Sequence, residues 1–223
     1  MMVEVLDGGL ASRGRVLDLG CGTGSLSERI LDHFPRVRIV AIDRDPLLLK
    51  IGRTALGTFG GRLTWIDTDL RDSRWTKLLP RGRFDAVVSS TALHWLTSSE
   101  LQQLYRTLGR RLRPGGLFLN ADSIASRRKH PRIRRILERG ARKREAAGTG
   151  PTGESWHDWW RALEADPKLR EEVALRRARF PRAHHGTRTA DLAAHERFLR
   201  RAGFREVAVV WSRGRSRVLV AVR

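Results

Sequence analysis

Short apolar runs alternate with helix-like segments through the first 120 residues, and this rhythm restricts the fold more than any other feature. Continuous apolar runs are typical of buried parallel strands, and the segments between them predict the crossover helices that such strands require. The predicted strands are Arg15–Leu19, Arg38–Ile42, Leu63–Ile66, Phe84–Ser89 and Gly116–Asn120. The predicted helices are Ser25–Phe34, Pro46–Leu56, Ser73–Leu79 and Ser98–Leu112. The pattern therefore predicts the α/β class, with a doubly wound sheet.

The end of the chain adds a different arrangement to this sheet. A helix predicted over Asp191–Ala202 stops at Gly203, a residue that favours helix ends. The runs FREVAVVW and SRVLVAVR follow it, and the turn residues 212–215 predict that they form a hairpin. We expect a seven-stranded sheet that is mostly parallel and has an antiparallel last strand.

The region between residues 123 and 190 differs from both flanks, and we interpret it as a helical insertion. Residues 126–147 are densely basic, and a tryptophan-rich helix is predicted from Ser155. The domain itself then consists of residues 1–122 and 191–223. Because the insertion's tryptophans recur at helical spacing, they share one face, which either packs on the sheet domain or forms a lid over a planar or apolar substrate. These tryptophans are Trp156, Trp159 and Trp160.

Charge and cysteine content limit the classes of function. The 223 residues carry a formal net charge of +20, which favours nucleic acid as a partner. However, only five of the 44 basic residues are Lys, and such an excess of Arg is also expected from a genome rich in G and C. A single cysteine and the absence of metal-ligand spacings or an apolar leader predict a soluble, cytoplasmic chain without metal or membrane.

The stretch RVLDLGCGTGSL places Gly20, Gly22 and Gly24 directly after the first predicted strand. Its spacing lacks the third glycine of a dinucleotide fingerprint, and no Walker lysine follows. Asp18 lies two residues before the first glycine, where a carboxylate repels phosphate and attracts a cation. Asp43 ends the second strand and can accept hydrogen bonds from ribose hydroxyls. The predicted ligand is a nucleoside that carries a cationic group.

These stretches, VLDLGCGTG and IVAIDRD, resemble the first two motifs of the class I S-adenosylmethionine-dependent methyltransferases. The resemblance continues through WIDTDLRD, FDAVVSSTALHWL, LGRRLRPGGLFLN and LRRAGFREVAVVW, and it covers residues 15–120 and 191–223. Around ALHWL the sequence is similar to small-molecule enzymes of the trans-aconitate type. The resemblance implies a Rossmann-like methyltransferase fold, with S-adenosyl-L-methionine as cofactor and S-adenosyl-L-homocysteine as product.

The same resemblance assigns roles to the cofactor-binding positions. The three glycines would line the methionine part, Asp18 would help to hold its ammonium group, and Asp43 would bind the ribose. Asp69 and the backbone of Leu70 would read the adenine edge, although Asp69 could instead be one of several acids in a solvated loop. The other implied cofactor-binding residues are Cys21, Arg44 and Ser89.

The segment after the fourth strand would lie beside the reactive methyl group. His94 is the candidate catalytic residue, acting as a base or a substrate ligand, and its alternative role is to form a wall of the pocket. Candidate substrate or lid residues are Trp95, Trp156, Trp159, Trp160, His184 and His185.

Three functions follow from these observations. The first is methyl transfer to a small-molecule acceptor, at a carboxylate or hydroxyl oxygen, with the insertion as a substrate-selecting lid. The second is methylation of RNA or another nucleic acid through the basic insertion. Against it, the sequence after the fourth strand lacks the N/D-P-P-Y/F motif of enzymes that methylate exocyclic amines of bases. The third is a non-catalytic protein that binds the cofactor.

Overall fold

The computed structural model describes residues 1–125, 155–180 and 190–223, with a few isolated helical positions between 132 and 143. The chain divides into two compact units, one formed within residues 1–126 and 184–223 and the other within 127–183. No helix among the described residues has the length and apolar character needed to cross a membrane.

The larger unit is built on one seven-stranded sheet in the order β3-β2-β1-β4-β5-β7-β6. Its strands are β1 Arg15–Leu19, β2 Arg38–Asp43, β3 Leu63–Asp67, β4 Phe84–Ser90, β5 Leu112–Ser123, β6 Glu206–Arg213 and β7 Ser216–Val222. Strands β1 to β5 pair in parallel, whereas β7 pairs antiparallel with both β5 and β6. The predicted doubly wound α/β sheet with an antiparallel last strand is confirmed.

Helices cover both faces of the sheet in this unit. They are α1 Met2–Gly9, α2 Ser25–His33, α3 Pro46–Leu56, α4 Ser98–Arg111 and α7 Leu192–Arg201. One core layer joins α1 and α2 to the sheet through Leu6, Ile30 and Leu31, and the other joins α4 and α7 through residues such as Leu104 and Leu199. Because both faces are buried, the parallel strands can be apolar along their whole length, as the sequence predicted.

Three local features differ from the sequence prediction. Helix α1 was not predicted, because eight residues form a marginal helix until Leu6 is buried against the sheet. Residues Ser73–Leu78 form a 3₁₀ helix rather than an α-helix. Strand β5 begins at Leu112 and extends to Ser123, beyond both predicted ends, because it pairs with β4 on one side and β7 on the other.

The smaller unit contains helices α5 Trp156–Ala165 and α6 Arg170–Arg179, joined by the 3₁₀ turn Pro167–Leu169. Ser155 caps α5 in a capping box with Asp158, where the sequence predicted the helix to start. Trp159 and Trp160 pack edge to face at 5.1 Å, and the Arg176 guanidinium lies 4.1 Å from the centre of the Trp160 ring. The tryptophan face is therefore packed in part against α6.

Candidate functional site

Three glycines carry the chain from β1 into α2. Gly20 and Gly22 have φ values of +65° and +57°, a conformation that side chains disfavour. A Cβ atom on Gly20 would lie 2.3 Å from the Cβ of Ala92, which follows β4, whereas at Gly22 the nearest atom would be 3.8 Å away, on Leu48. Gly24 is buried at the start of α2, where a Cβ atom would meet Trp65. The loop thus brings bare backbone across the carboxyl end of β1, and at Gly22 an added Cβ atom would make only an ordinary van der Waals contact.

Asp43 fastens this loop to the end of β2. Its Oδ2 accepts a hydrogen bond from the Gly22 N–H at 2.7 Å, and its Oδ1 accepts one from the Asp45 N–H at 2.8 Å. Burial raises the pKa of Asp43 to about 6, although the two backbone hydrogen bonds favour the ionised form. Each oxygen can accept a further hydrogen bond, so the carboxylate can still bind ribose hydroxyls. Its role in holding the loop was not predicted from the sequence.

Asp18 lies buried beneath the same loop, with only 1% of its surface exposed. The Ser27 hydroxyl donates to its Oδ2 at 2.7 Å, while its Oδ1 has no hydrogen-bond partner among the described residues. Burial raises the pKa of Asp18 to about 7; the Ser27 hydrogen bond opposes this rise, and the charge of Asp43 adds to it. A cation bound beside Asp18 would favour its ionised form, so this site suits the ammonium group predicted from the sequence.

The loop after β3 holds Asp69 between two arginines. The Arg71 Nη2 lies 2.7 Å and the Arg44 Nη1 2.8 Å from Asp69 Oδ2. Arg44, predicted as a cofactor-binding residue, thus also orients Asp69. The backbone N–H of Leu70 donates no hydrogen bond within the described part of the chain. This loop therefore offers a free N–H donor beside a fixed carboxylate, while its role in reading adenine stays a prediction.

Cys21 and Ser89 connect neighbouring strand ends. The Cys21 N–H donates to the Ile42 carbonyl at 2.9 Å, and burial raises the pKa of its thiol. The hydroxyl of the fully buried Ser89 donates to the Leu19 carbonyl at 2.8 Å. Both residues hold the carboxyl edge of the sheet together, and their direct contact with a cofactor stays a prediction.

His94 lies in the 3₁₀ turn Leu93–Trp95 after β4 and is clamped by Asp122 at the end of β5. The His94 backbone N–H donates to Asp122 Oδ2 at 3.0 Å, and its ring Nδ1 lies 2.7 Å from Asp122 Oδ1. Asp122 is 4% exposed, whereas the His94 side chain is 30% exposed. An aspartate in this position holds Nδ1 as the protonated nitrogen and leaves Nε2 as the acceptor.

Asp122 is a candidate functional residue that the sequence did not indicate. It is 28 positions from His94 and lies beyond the predicted end of the fifth strand. The signal that could have found it is topological: β4 and β5 are neighbours, so an acid just after the fifth predicted strand reaches the turn after the fourth.

The backbone between β4 and His94 is strained. Thr91 has a φ of +53°, which is unfavourable for a β-branched residue, and its N–H donates to the Ala121 carbonyl of β5 at 2.8 Å. Such strain is concentrated at functional sites, where surrounding contacts hold it. Trp95 follows His94 with its ring centre 4.9 Å from the imidazole, and it is 53% exposed. Trp95 therefore extends an exposed aromatic surface beside the clamped histidine.

Asn120 adds a buried amide to the same face of β5. It is fully buried, and neither its Oδ1 nor its Nδ2 has a hydrogen-bond partner among the described residues. Asp122 lies two residues further along, about 7 Å away on the same strand face. An unpaired buried amide destabilises the fold, so Asn120 is a candidate donor and acceptor for a polar group that reaches this position.

Other candidates fall outside this site or outside the description. His184, His185 and the side chain of Trp156 lie outside the described residues, while Trp159 and Trp160 belong to the smaller unit. Among the described residues, no three His, Cys, Asp or Glu side chains are grouped to hold a metal ion.

The carboxyl edge of the sheet fits a nucleoside that carries a cationic group. Asp18 supplies a buried carboxylate oxygen that has no partner among the described residues, and Gly22 supplies bare backbone without steric crowding. Asp43 has hydrogen-bonding capacity left for hydroxyls, and the Leu70 N–H is free for a base edge. These four features agree with the ligand that the sequence predicted.

Comparison with known proteins identifies similar chains. Residues 16–116 match the family described as a methyltransferase domain. The chain is 32% identical over 119 residues to a malonyl-[acyl-carrier protein] O-methyltransferase of Paenibacillus sp. (strain JDR-2), which covers 52% of this chain and 41% of that protein. It is 26% identical over 224 residues to a trans-aconitate 2-methyltransferase of Streptomyces coelicolor, covering 78% of this chain and 72% of the relative. The match thus spans less than half the length of the first relative.

A further relative acts on a different class of acceptor, and solved structures share the fold. The ribosomal RNA small subunit methyltransferase C of Salmonella arizonae is 32% identical over 108 residues, covering 47% of this chain and 30% of that protein. Human N-acetylserotonin methyltransferase, solved in complex with S-adenosylmethionine, superposes with a TM-score of 0.58 at 15% identity. That superposition covers 95% of this chain and 48% of the human protein.

Proposed function

We propose that this chain, whose residues 16–116 match a methyltransferase domain, is an S-adenosylmethionine-dependent methyltransferase that methylates an oxygen atom of a small-molecule acceptor. The family's cofactor supplies a methyl group that is already activated for in-line displacement. Most of the protein's contribution is then to position two reactants and to exclude water. The observation that carries the proposal is the His94–Asp122 pair, which provides an oriented proton acceptor at the edge of the sheet.

The residues of the β1–β2 end would hold the cofactor. Asp18 would pair with its ammonium group, and Asp43 would accept from the ribose while it keeps the glycine loop in place. The Leu70 N–H and the fixed Asp69 carboxylate would read the base. These roles agree with the family resemblance and use the hydrogen-bonding capacity that the described contacts leave open.

His94 would remove the acceptor's proton through Nε2. A hydroxyl or phenol becomes a good nucleophile only as it loses its proton, whereas a carboxylate needs no base. Asp122 supports the transfer because it fixes the tautomer and stabilises the imidazolium that forms. The pair therefore favours a hydroxyl acceptor within the oxygen class.

The direct test is turnover of the Asp122→Asn variant. Formation of S-adenosylhomocysteine would be followed with a panel of small phenols, alcohols and carboxylic acids. For a hydroxyl acceptor we expect kcat to fall by about 10²–10⁴-fold, because asparagine cannot hold His94 in the required tautomer. Cofactor affinity should not change.

The chain offers a matched control for this experiment. His33 and Asp7 form a similar pair at 2.8 Å, but both side chains are exposed and lie away from the sheet edge. Asp7→Asn should leave kcat unchanged. If Asp122→Asn or His94→Ala turns over like the wild type, His94 is not a base and only lines the pocket. That result would favour a carboxylate acceptor.

We also propose that residues 123–190 select the acceptor. Support comes from α5, where Trp159 and Trp160 present aromatic surface that is only partly covered. A substitution such as Trp159→Ala should then raise KM for the acceptor and leave kcat similar. If acceptor preference does not change in any tryptophan variant of α5, this role is wrong.

Nucleic acid is the second candidate acceptor. It is supported by the formal charge of +20 and by the similarity to an RNA methyltransferase over 108 residues. Binding through many arginines would weaken steeply as salt is raised, whereas a small-molecule site would respond modestly. Titration of RNA at two salt concentrations therefore separates the two candidates.

A further inference from the structure

A groove of about 640 Å³ lies between the 3₁₀ helix Ser73–Leu78 and helix α4. None of the contacts assigned above to the cofactor or to His94 uses its α4 wall. The volume falls within the range typical of small-molecule sites. Its floor includes Trp75 and Leu104, both nearly buried, and its walls carry hydroxyl groups such as those of Thr76 and Thr107.

The walls of this groove are strongly basic. Arg106, Arg110 and Arg111 of α4 line it. Arg106 and Arg110 form no ion pair with any residue that the structure describes, and the Arg111 Nη2 donates to the Thr76 carbonyl at 2.7 Å. Three arginines without a carboxylate partner among the described residues therefore line a space large enough for a ligand.

The positions of these arginines are not explained by the helix alone. Basic residues in the last turn of a helix are favoured by its macrodipole, which accounts for Arg110 and Arg111. Arg106 lies one turn earlier and shares a face with Gln103, Thr107 and Arg110, at the spacings of helical neighbours. This face of α4 therefore places polar donors at successive turns along the groove.

Guanidinium groups one helical turn apart can bind the oxygens of linked phosphates. The planar fork of Arg matches two phosphate oxygens at once, and successive forks can hold two linked phosphates. Glu100, at the opposite end of α4, also lines the groove, and its Oε2 accepts from the Thr97 N–H at 2.7 Å. A long polyanion that followed the helix would meet this carboxylate, so the charge pattern favours a short ligand.

We propose that this groove binds a phosphate-bearing small molecule of nucleotide size. Its linked phosphates lie on Arg106 and Arg110, and its less polar part lies over the floor that Trp75 and Leu104 form. The opposite wall of the groove includes Leu70 and Arg71, which adjoin the proposed adenine site. The phosphate-binding part of the proposal does not depend on the methyl-transfer function, because neither Arg106 nor Arg110 has been assigned to the cofactor or the acceptor.

Titration calorimetry with inorganic pyrophosphate and with ADP tests the proposal. Pyrophosphate is titrated into the protein alone, and ADP is titrated with saturating S-adenosylhomocysteine so that the cofactor site is blocked. We expect both to bind, ADP more tightly because it also covers the floor, and binding to weaken as salt is raised. The Arg106→Gln/Arg110→Gln variant should bind both at least about tenfold more weakly.

The control variant Arg29→Gln/Arg36→Gln removes the same charge from exposed positions at α2 and before β2. It should bind both probes like the wild type, and circular dichroism should show that both variants are folded. The proposal is overturned if neither probe binds, if ADP binds no tighter than pyrophosphate, or if the groove variant binds as well as the control. It is also overturned if a 20-nucleotide RNA binds through these arginines and the two small probes do not. Because the pyrophosphate titration needs no cofactor, failure of the methyl-transfer proposal would leave this result readable.

Discussion

The two ends of the carboxyl edge of this sheet are shaped by different means. At the β1–β2 end the backbone forms the candidate binding surface. Gly20 and Gly22 adopt positive φ, and Asp43 accepts hydrogen bonds from two backbone N–H groups. At the β4–β5 end the candidate site is a pair of side chains, in which Asp122 holds His94. A bound nucleoside needs close approach to backbone, whereas proton removal needs one oriented side chain.

The difference predicts that the two ends can be disabled separately. Changes at the β1–β2 end should abolish cofactor binding, and changes at the β4–β5 end should abolish turnover while binding remains. The two ends approach each other closely at Gly20, where an added Cβ atom would lie 2.3 Å from the Cβ of Ala92.

Gly20→Ala should therefore cause the largest effect, because it strains the loop and pushes apart both ends. We expect the free energy of unfolding to fall by about 2–4 kcal/mol, from positive φ and overpacking together. Chemical denaturation measures this loss. Gly22→Ala is the matched control: it has the same backbone strain, but its Cβ atom would lie at an ordinary contact distance of 3.8 Å from Leu48, so it should cost only about 1–2 kcal/mol. Equal losses in the two variants would show that the contact with Ala92 is not important.

Asp43→Ala should weaken cofactor binding by about 100-fold or more, because both the ribose contact and the fastening of the glycine loop are lost. Calorimetric titration with S-adenosylhomocysteine measures the affinity. Asp32→Ala, at an exposed position of α2, should bind like the wild type. Near-wild-type affinity in Asp43→Ala would contradict the cofactor assignment.

The affinity of the β1–β2 end for the cofactor should depend on pH. Burial raises the pKa of Asp18 to about 7 and that of Asp43 to about 6, so both are partly protonated in the free protein near neutrality. An ammonium group and hydroxyl donors favour the ionised carboxylates, so affinity should rise about tenfold from pH 6 to pH 8.

The stability of the free protein should change with pH in the opposite direction to the affinity, so it should fall as the pH is raised. The pKa values of the folded protein lie above the ordinary aspartate value of 3.8, so these two groups favour the fold most below that value and progressively less as pH rises through 6 and 7. In Asp18→Asn the affinity for the cofactor should change less between pH 6 and pH 8 than it does in the wild type. A wild-type affinity that stays constant between pH 6 and pH 8 would remove Asp18 from the binding site.

Trp95→Ala should have the smallest effect. Its ring is half exposed, so it contributes limited apolar contact, and KM for an apolar acceptor should rise about threefold with kcat little changed. Steady-state kinetics measure both constants. Leu78→Ala removes a similarly exposed apolar side chain outside this edge and should change neither constant.

Much of the fold and of the β1–β2 end could be predicted because backbone demands leave marks in the sequence. Every strand of the parallel part begins where its apolar run predicts, apart from β5, and the glycine spacing indicates where the chain turns. The His94–Asp122 pair leaves no such mark, since its members are 28 residues apart and meet only through the pairing of β4 with β5. Helix α1 was missed for a related reason, because it depends on tertiary burial of Leu6 rather than on its own propensity.

The measurement that tests the account most directly is a single set of calorimetric titrations with S-adenosylhomocysteine. Wild-type protein, Asp43→Ala and Asp122→Asn would be compared under the same conditions. We predict micromolar binding by the wild type, the same affinity in Asp122→Asn, and binding about 100-fold weaker or more in Asp43→Ala. Absence of binding by the wild type, or equal binding by all three proteins, would contradict the division of the edge into a cofactor end and a chemical end.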